Sequence, residues 1–206
     1  SDVCSSDLPL IKKIGLYKRY YGNVIGKSLS EIAPLAIKHQ LIVSINVGRK
    51  EIEDGQFINI LRRECLVNNL PLSLMKVELS EKAVSAADIL EGFCQELKSL
   101  GVKISIDDFG VQNSNLARLS QLEYDEIKID KSLVDGISED YKQNIFVIFS
   151  DALAKLNKTL VFEGVENETQ YRFIADRYPD ALIQGWYFSK ALTRGELAKR
   201  LTGVAP

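Results

Sequence analysis

Apolar residues recur along this chain in two alternating periods. Val102, Ile104 and Ile106 alternate with Lys103 and Ser105, the two-residue period of a strand with one buried face. From Leu10 to about Ala36 the apolar positions Ile14, Tyr17, Tyr21, Ile25, Leu29 and Ile32 recur every three or four residues. That spacing predicts a helix, interrupted at Gly22 and Pro34. Further strands are predicted at 41–46, 74–79, 102–107, 125–130, 158–164 and 181–185. Helical patterns follow them at 54–69, 85–100, 113–122, 139–157, 167–178 and 194–201. Gly101 stops one of these helices in the manner of a left-handed cap.

About six strand-then-helix units in a row, with no Pro- or Gly-rich linker between them, predict a parallel sheet with helices outside it. Such a sheet closes as a (β/α)₈ barrel or stays open and doubly wound. The glycine fingerprint of a dinucleotide-binding sheet and the Walker phosphate loop are both missing from the sequence.

Composition narrows the chemistry. The 206 residues suffice for one sizeable core or two small ones, and 46% hydrophobic with 26% charged content is ordinary for a globular chain. Lys plus Arg (26) nearly balances Asp plus Glu (28), giving a net charge of −2. No general electrostatic drive toward DNA, RNA or anionic lipid follows from that balance. Phosphate chemistry here needs a local site. Three scattered cysteines make no metal or disulfide pattern, and a single histidine, His39, leaves zinc sites and Ser-His-Asp chemistry without their parts. A reduced, cytoplasmic setting is expected.

The candidate chemistry gathers where strands end. Asn46, Glu78, Asp107 with Asp108, Lys128 with Asp130, Glu163 and Gln184 close the six predicted strands in turn. In a parallel barrel those ends converge on one rim, where active sites lie. Carboxylate and amide oxygens are hard ligands suited to Mg²⁺ or Mn²⁺. Two adjacent carboxylates both stay ionised when divalent cations neutralise them, and a metal pair serves in-line displacement at a phosphodiester. Lys128 then orients the attacking water or offsets phosphoryl charge. Each residue also has a plainer role. The Asp pair can cap a helix, Asn46 and Gln184 can bond loop backbone, and Lys128 with Glu163 can form a structural ion pair.

The motifs "INVG", "VELSE", "IDDFG", "IKIDKSLV", "FEGVEN" and "QGWYFSK" resemble, in order and spacing, those of the EAL domain. That family comprises bacterial phosphodiesterases that linearise the second messenger cyclic di-GMP. The resemblance runs from about Pro9 to Leu197. It implies a TIM-type barrel in which Asn46, Glu78, Asp107 and Asp108 bind a two-metal Mg²⁺ or Mn²⁺ site. By the same resemblance Lys128 and Glu163 handle the catalytic water, Gln184 and Asp130 support the site, and Glu81 anchors the loop after Asp108. A homodimer and an upstream regulatory domain are implied as well, with any membrane anchor carried by upstream segments.

Three departures accompany the resemblance. The loop "DDFGVQNSNL" carries Val111 and Gln112 where the family has Thr and Gly, and Ala191 stands in place of Pro. The E-A-L motif and the strand before it are not in the sequence. The expected architecture is therefore an incomplete α/β barrel with about six of eight strands. Residues 9–206 are expected to form a partial EAL domain, inactive by itself. Residues 1–8, "SDVCSSDL", are expected to be a non-native segment whose back-translation reads as a sequencing-library adapter. The expected activity of the parent protein is cyclic di-GMP hydrolysis. The rival reading is a degenerate, non-catalytic EAL domain that binds cyclic di-GMP or a protein partner, and the altered loop at 111–115 favours it.

Overall fold

Alternation along each strand sorts its residues onto two faces, and the computed structural model shows what each face meets. It describes residues 17–80, 83, 84, 89–110 and 119–203. The 1–8 segment with Cys4, Glu81, the altered stretch at 111–115 and most of the helix expected at 113–122 lie outside the described residues.

Six strands are present among the described residues: β1 (Val43–Val47), β2 (Met75–Ser80), β3 (Lys103–Phe109), β4 (Glu126–Ile129), β5 (Thr159–Phe162) and β6 (Leu182–Ile183). Every neighbouring pair is parallel, and their order in the sheet is their order in the sequence. A doubly wound sheet reverses its strand order at a switch point. Here no reversal occurs, so the sheet is the wall of an incomplete TIM-type barrel.

The helices are α1 (Tyr17–His39), α2 (Arg49–Glu53), α3 (Phe57–Val67), α4 (Leu90–Ser99), α5 (Lys131–Val134), α6 (Asp140–Ala154), α7 (Glu168–Arg177) and α8 (Arg194–Leu201). One side of the sheet, carrying Met75, Val77, Leu79, Ile104, Ile106, Ile127, Ile129, Leu160 and Phe162, is buried in a single core. The helices contribute Ile25, Leu29, Leu61, Phe93, Leu97, Phe146 and Leu153 to that core. Phe162 of β5 meets Phe146 of α6 and Tyr178 after α7, with ring centroids 5.4 and 5.2 Å apart. Burying a side chain of this size stabilises by about 1.5–3 kcal/mol. The opposite parity carries Asn46, Lys76, Glu78, Ser105, Asp107, Glu126 and Lys128, so the second face of the sheet is polar.

The first helix departs from expectation. α1 runs unbroken through Gly22 and Pro34. Proline removes one intrahelical hydrogen bond, but Ile25, Leu29, Ala33 and Ala36 on the same helix are all buried. Packing of that stripe outweighs the local cost, and Pro34 itself is exposed. The pattern at 54–69 holds one helix, α3, whose start is delayed to Phe57 because Asp54 caps α2 and Gly55 takes φ +65°.

Candidate functional site

β3 pairs with β4 at Ser105–Glu126 and Ile106–Ile127, then at Phe109–Ile129. Three steps on β3 thus match two on β4, and the extra residue is a β-bulge at Asp107–Asp108, opposite Lys128. Asp108 takes φ +55°, a left-handed conformation that Asp tolerates better than most residues. Gly110 follows with φ +102°, where a Cβ would lie 2.6 Å from the Leu133 side chain. The bulge turns both carboxylates toward one rim. Asp107 Oδ1 accepts the Asp108 backbone N–H at 3.1 Å.

Oxygens of Asp107, Asp108 and Glu163 all lie within 4.8 Å of one another. Lys128 stands among the carboxylates, only 5% exposed. Its Nζ lies 2.8 Å from Asp107 Oδ1, 2.8 Å from Glu163 Oε1 and 3.0 Å from Glu78 Oε2. Burial by itself would lower the pKa of Lys128. Hydrogen bonds to Asp107, Glu163 and Glu78, with the charge of Glu163, outweigh it and hold the ammonium above its ordinary value. Desolvation raises Glu163 above the usual carboxylate range. The Lys128 hydrogen bond and charge oppose that rise, and the negative charges of Asp107 and Glu78 add to it.

Glu78, Asp107, Lys128 and Glu163 therefore meet in one cluster, with Asp108 on its exposed side. Asn46 is the register partner of Glu78 on β1, and its backbone carbonyl accepts the Tyr21 hydroxyl at 3.1 Å. Asp130 sits one residue beyond β4, where its side chain accepts the Ser132 backbone N–H and caps α5. Gln184 is held by its backbone. Its N–H donates to Phe162 and its carbonyl accepts from Val165. The next residue must be glycine, because a Cβ on Gly185 would lie 2.0 Å from the Val165 carbonyl oxygen.

The sequence reading missed a second, largely buried ion pair on the same polar face, Lys76 with Glu126. Strand parity was the available signal, since each lies two residues before a residue of the cluster.

The cluster fits divalent cations by the chemistry of its donors. Among the described residues, carboxylate oxygens converge without thiol or imidazole, and the buried ammonium of Lys128 does not offset their combined charge. The fold and this rim define a TIM-type α/β domain with an acidic site at the C-terminal ends of its strands. The family described as EAL domain matches residues 5–191, and the chain belongs to it.

Among its relatives, the biofilm architecture maintenance protein MbaA of Vibrio cholerae is 26% identical over 193 residues, covering 93% of this chain and 24% of that protein. The cyclic di-GMP phosphodiesterase NbdA of Pseudomonas aeruginosa is 30% identical over 169 residues, covering 81% of this chain and 22% of that protein. The solved structure "PaMucR Phosphodiesterase, c-di-GMP complex" matches with a TM-score of 0.81 and 26% identity, over 92% of this chain and 78% of that one. The chain spans about a quarter of the length of these curated relatives. Among the described residues, no helix is long and apolar enough to cross a membrane.

Proposed function

We propose that this domain belongs to a phosphodiesterase that opens cyclic di-GMP to the linear dinucleotide pGpG. The observation that carries the reading is the convergence of Glu78, Asp107, Asp108, Lys128 and Glu163 on one rim. Glu78, Asp107 and Asp108, with Asn46 beside Glu78, would hold Mg²⁺ or Mn²⁺. When bound, the cations supply Lewis-acid neutralisation of charge at the phosphodiester. Glu163, whose desolvation raises its proton affinity above that of an ordinary carboxylate, takes the proton of the attacking water. Lys128 keeps Glu163 in place and offsets charge on the phosphoryl oxygens. Asp130, Gln184 and Glu81 support the site. The names of NbdA and the MucR complex support cyclic di-GMP as the ligand. A homodimer and an upstream regulatory domain belong to the same reading, and the greater length of the relatives supports the presence of further domains in the parent protein.

The test is hydrolysis of cyclic di-GMP by the full-length protein with Mg²⁺ or Mn²⁺, followed by chromatography of pGpG. Binding without turnover favours the non-catalytic reading, for which Val111 and Gln112 in the loop after Asp108 speak. Replacing Val111, Gln112 and Asn113 by Thr, Gly and Tyr separates the two. A detuned enzyme gains rate, whereas a sensor stays inactive and still binds.

A further inference from the structure

On the polar face of the sheet, one layer before the carboxylate cluster, Lys76 Nζ lies 2.7 Å from Glu126 Oε2, with side chains only 14% and 9% exposed. Lys76 is on β2 and Glu126 on β4, so the pair spans β3. It crosses that strand at Ser105, which is fully buried and is the register partner of both Glu78 and Glu126. Only a small side chain leaves room for such a bridge. Glu78 and Lys128 span the same strand at 3.0 Å. β2 thus reads Lys-x-Glu and β4 reads Glu-x-Lys, and two bridges of opposite polarity join the same two strands.

This arrangement has an alternative pairing built into it. Each lysine has a second carboxylate two residues along its own strand, about 7 Å away and within reach of a four-carbon side chain. Without Lys76, Glu126 is a buried anion with Lys128 two residues along its own strand. Without the charge of Glu126, Lys76 is a largely buried cation with Glu78 two residues along its own strand. A buried charge that loses its partner is costly enough to seek another. The two losses therefore act on different parts of the site.

We propose that Lys76 and Glu126 are positioning residues, a reading that rests on the phosphodiesterase function above. Their mutual neutralisation leaves Lys128 to Glu78, Asp107 and Glu163, and keeps the charge of Lys76 off Glu78, one of the residues that would hold the cations. Lys76 governs turnover through Lys128, and Glu126 governs metal affinity through Glu78.

The test combines cyclic di-GMP kinetics with calorimetric titration of Mn²⁺ into the full-length protein. Lys76→Met is expected to lower kcat by about 10- to 100-fold with Mn²⁺ affinity close to the parent's. Glu126→Gln is expected to weaken Mn²⁺ binding about tenfold or more, with kcat recovered at saturating Mn²⁺. Removing both charges in the double variant Lys76→Met, Glu126→Gln restores both quantities, and Lys76→Arg preserves them. Single variants that shift both quantities alike, or a double variant as impaired as the singles, overturn the inference. Should the singles fail to fold, the double variant and Lys76→Arg carry the test. A full-length protein that binds Mn²⁺ but does not hydrolyse cyclic di-GMP refutes the enzymatic reading alone. The metal titration of Glu126→Gln then still decides the positioning role of Glu126.

Discussion

The ammonium of Lys128 lies 2.8 Å from the carboxylate of Glu163, joining the ends of two adjacent parallel strands. The same ammonium serves Asp107 and Glu78, so a single cation holds three carboxylates together. Lys128 ties these strand ends into one rim. Its folded pKa lies above its ordinary value, so its contribution to stability is full below the unfolded pKa and is lost as pH rises through the folded one. Glu163 is also raised. Its contribution is full below the unfolded carboxylate pKa and declines as pH rises through the folded value.

Replacing Lys128 by Met leaves Glu78, Asp107 and Glu163 facing one another without their shared cation. Removing one partner of a buried ion pair costs about 3–5 kcal/mol. Urea unfolding in EDTA is expected to show a loss of that order, part of which Mn²⁺ restores by binding the same carboxylates. An unchanged midpoint in EDTA contradicts the shared-cation arrangement.

Asp107 is expected to be indispensable for hydrolysis in the full-length protein. It accepts from Lys128 and from the Asp108 backbone, and its oxygens lie with those of Asp108 and Glu163. A neutral amide serves cations poorly, so Asp107→Asn abolishes turnover and weakens Mn²⁺ binding in the same titration. Parent rates in both Asp107→Asn and Glu163→Gln would sink the site assignment and leave a binding module.

Much of this was legible in the sequence, for reasons that are local. Alternation placed the six strands, and polar residues at their ends marked the rim. What the sequence concealed depends on partners far along the chain. The bulge at Asp107–Asp108 exists only as a mismatch of register with β4. Lys76 and Glu126, 50 residues apart, each read as an ordinary polar position on an alternating strand. Pro34 looked like a break because its local cost is visible, whereas the buried stripe that overrides it is a property of the folded core. Gly55, by contrast, carried its signal in the Asp-Gly pair, which opens the pattern at 54–69 and delays its helix to Phe57.

Gly185 controls where Gln184 stands. A Cβ there would lie 2.0 Å from the Val165 carbonyl oxygen and 2.4 Å from its nitrogen, and backbone cannot yield as a flexible side chain does. Gly185→Ala is expected to destabilise the domain by at least about 2 kcal/mol, read as a lower urea midpoint. The Val165 N–H bond to Gln184 and the Tyr187 N–H bond to Val165 are lost with it, seen as faster amide exchange at both positions. A variant with parent stability and protection would mean that β6 and the segment after β5 do not approach this closely.

The buried thiols give the protein an alkaline limit that is independent of the rim. Cys65 and Cys94 are 2% and 0% exposed. Burial, and next the charge of Glu64, push the Cys65 thiol up to about 11. Burial, and next Glu123, push Cys94 up to about 12. Both ordinary values are 9.0, so between pH 9 and these raised values the unfolded chain loses thiol protons that the folded chain keeps. The unfolded state then binds fewer protons, and stability must fall as pH rises, by up to about 1.4 kcal/mol per pH unit for each thiol. Lys128 adds to the same slope only above its own unfolded value of 10.5. Urea unfolding between pH 7 and 10 is therefore expected to be flat to pH 9 and to decline beyond it. Replacing both cysteines by Ala lowers stability at every pH, through the cavities left behind, but removes most of the decline between pH 9 and 10. If the double variant keeps the full slope, the thiols are not the groups that retain protons, and another buried acid sets the alkaline limit.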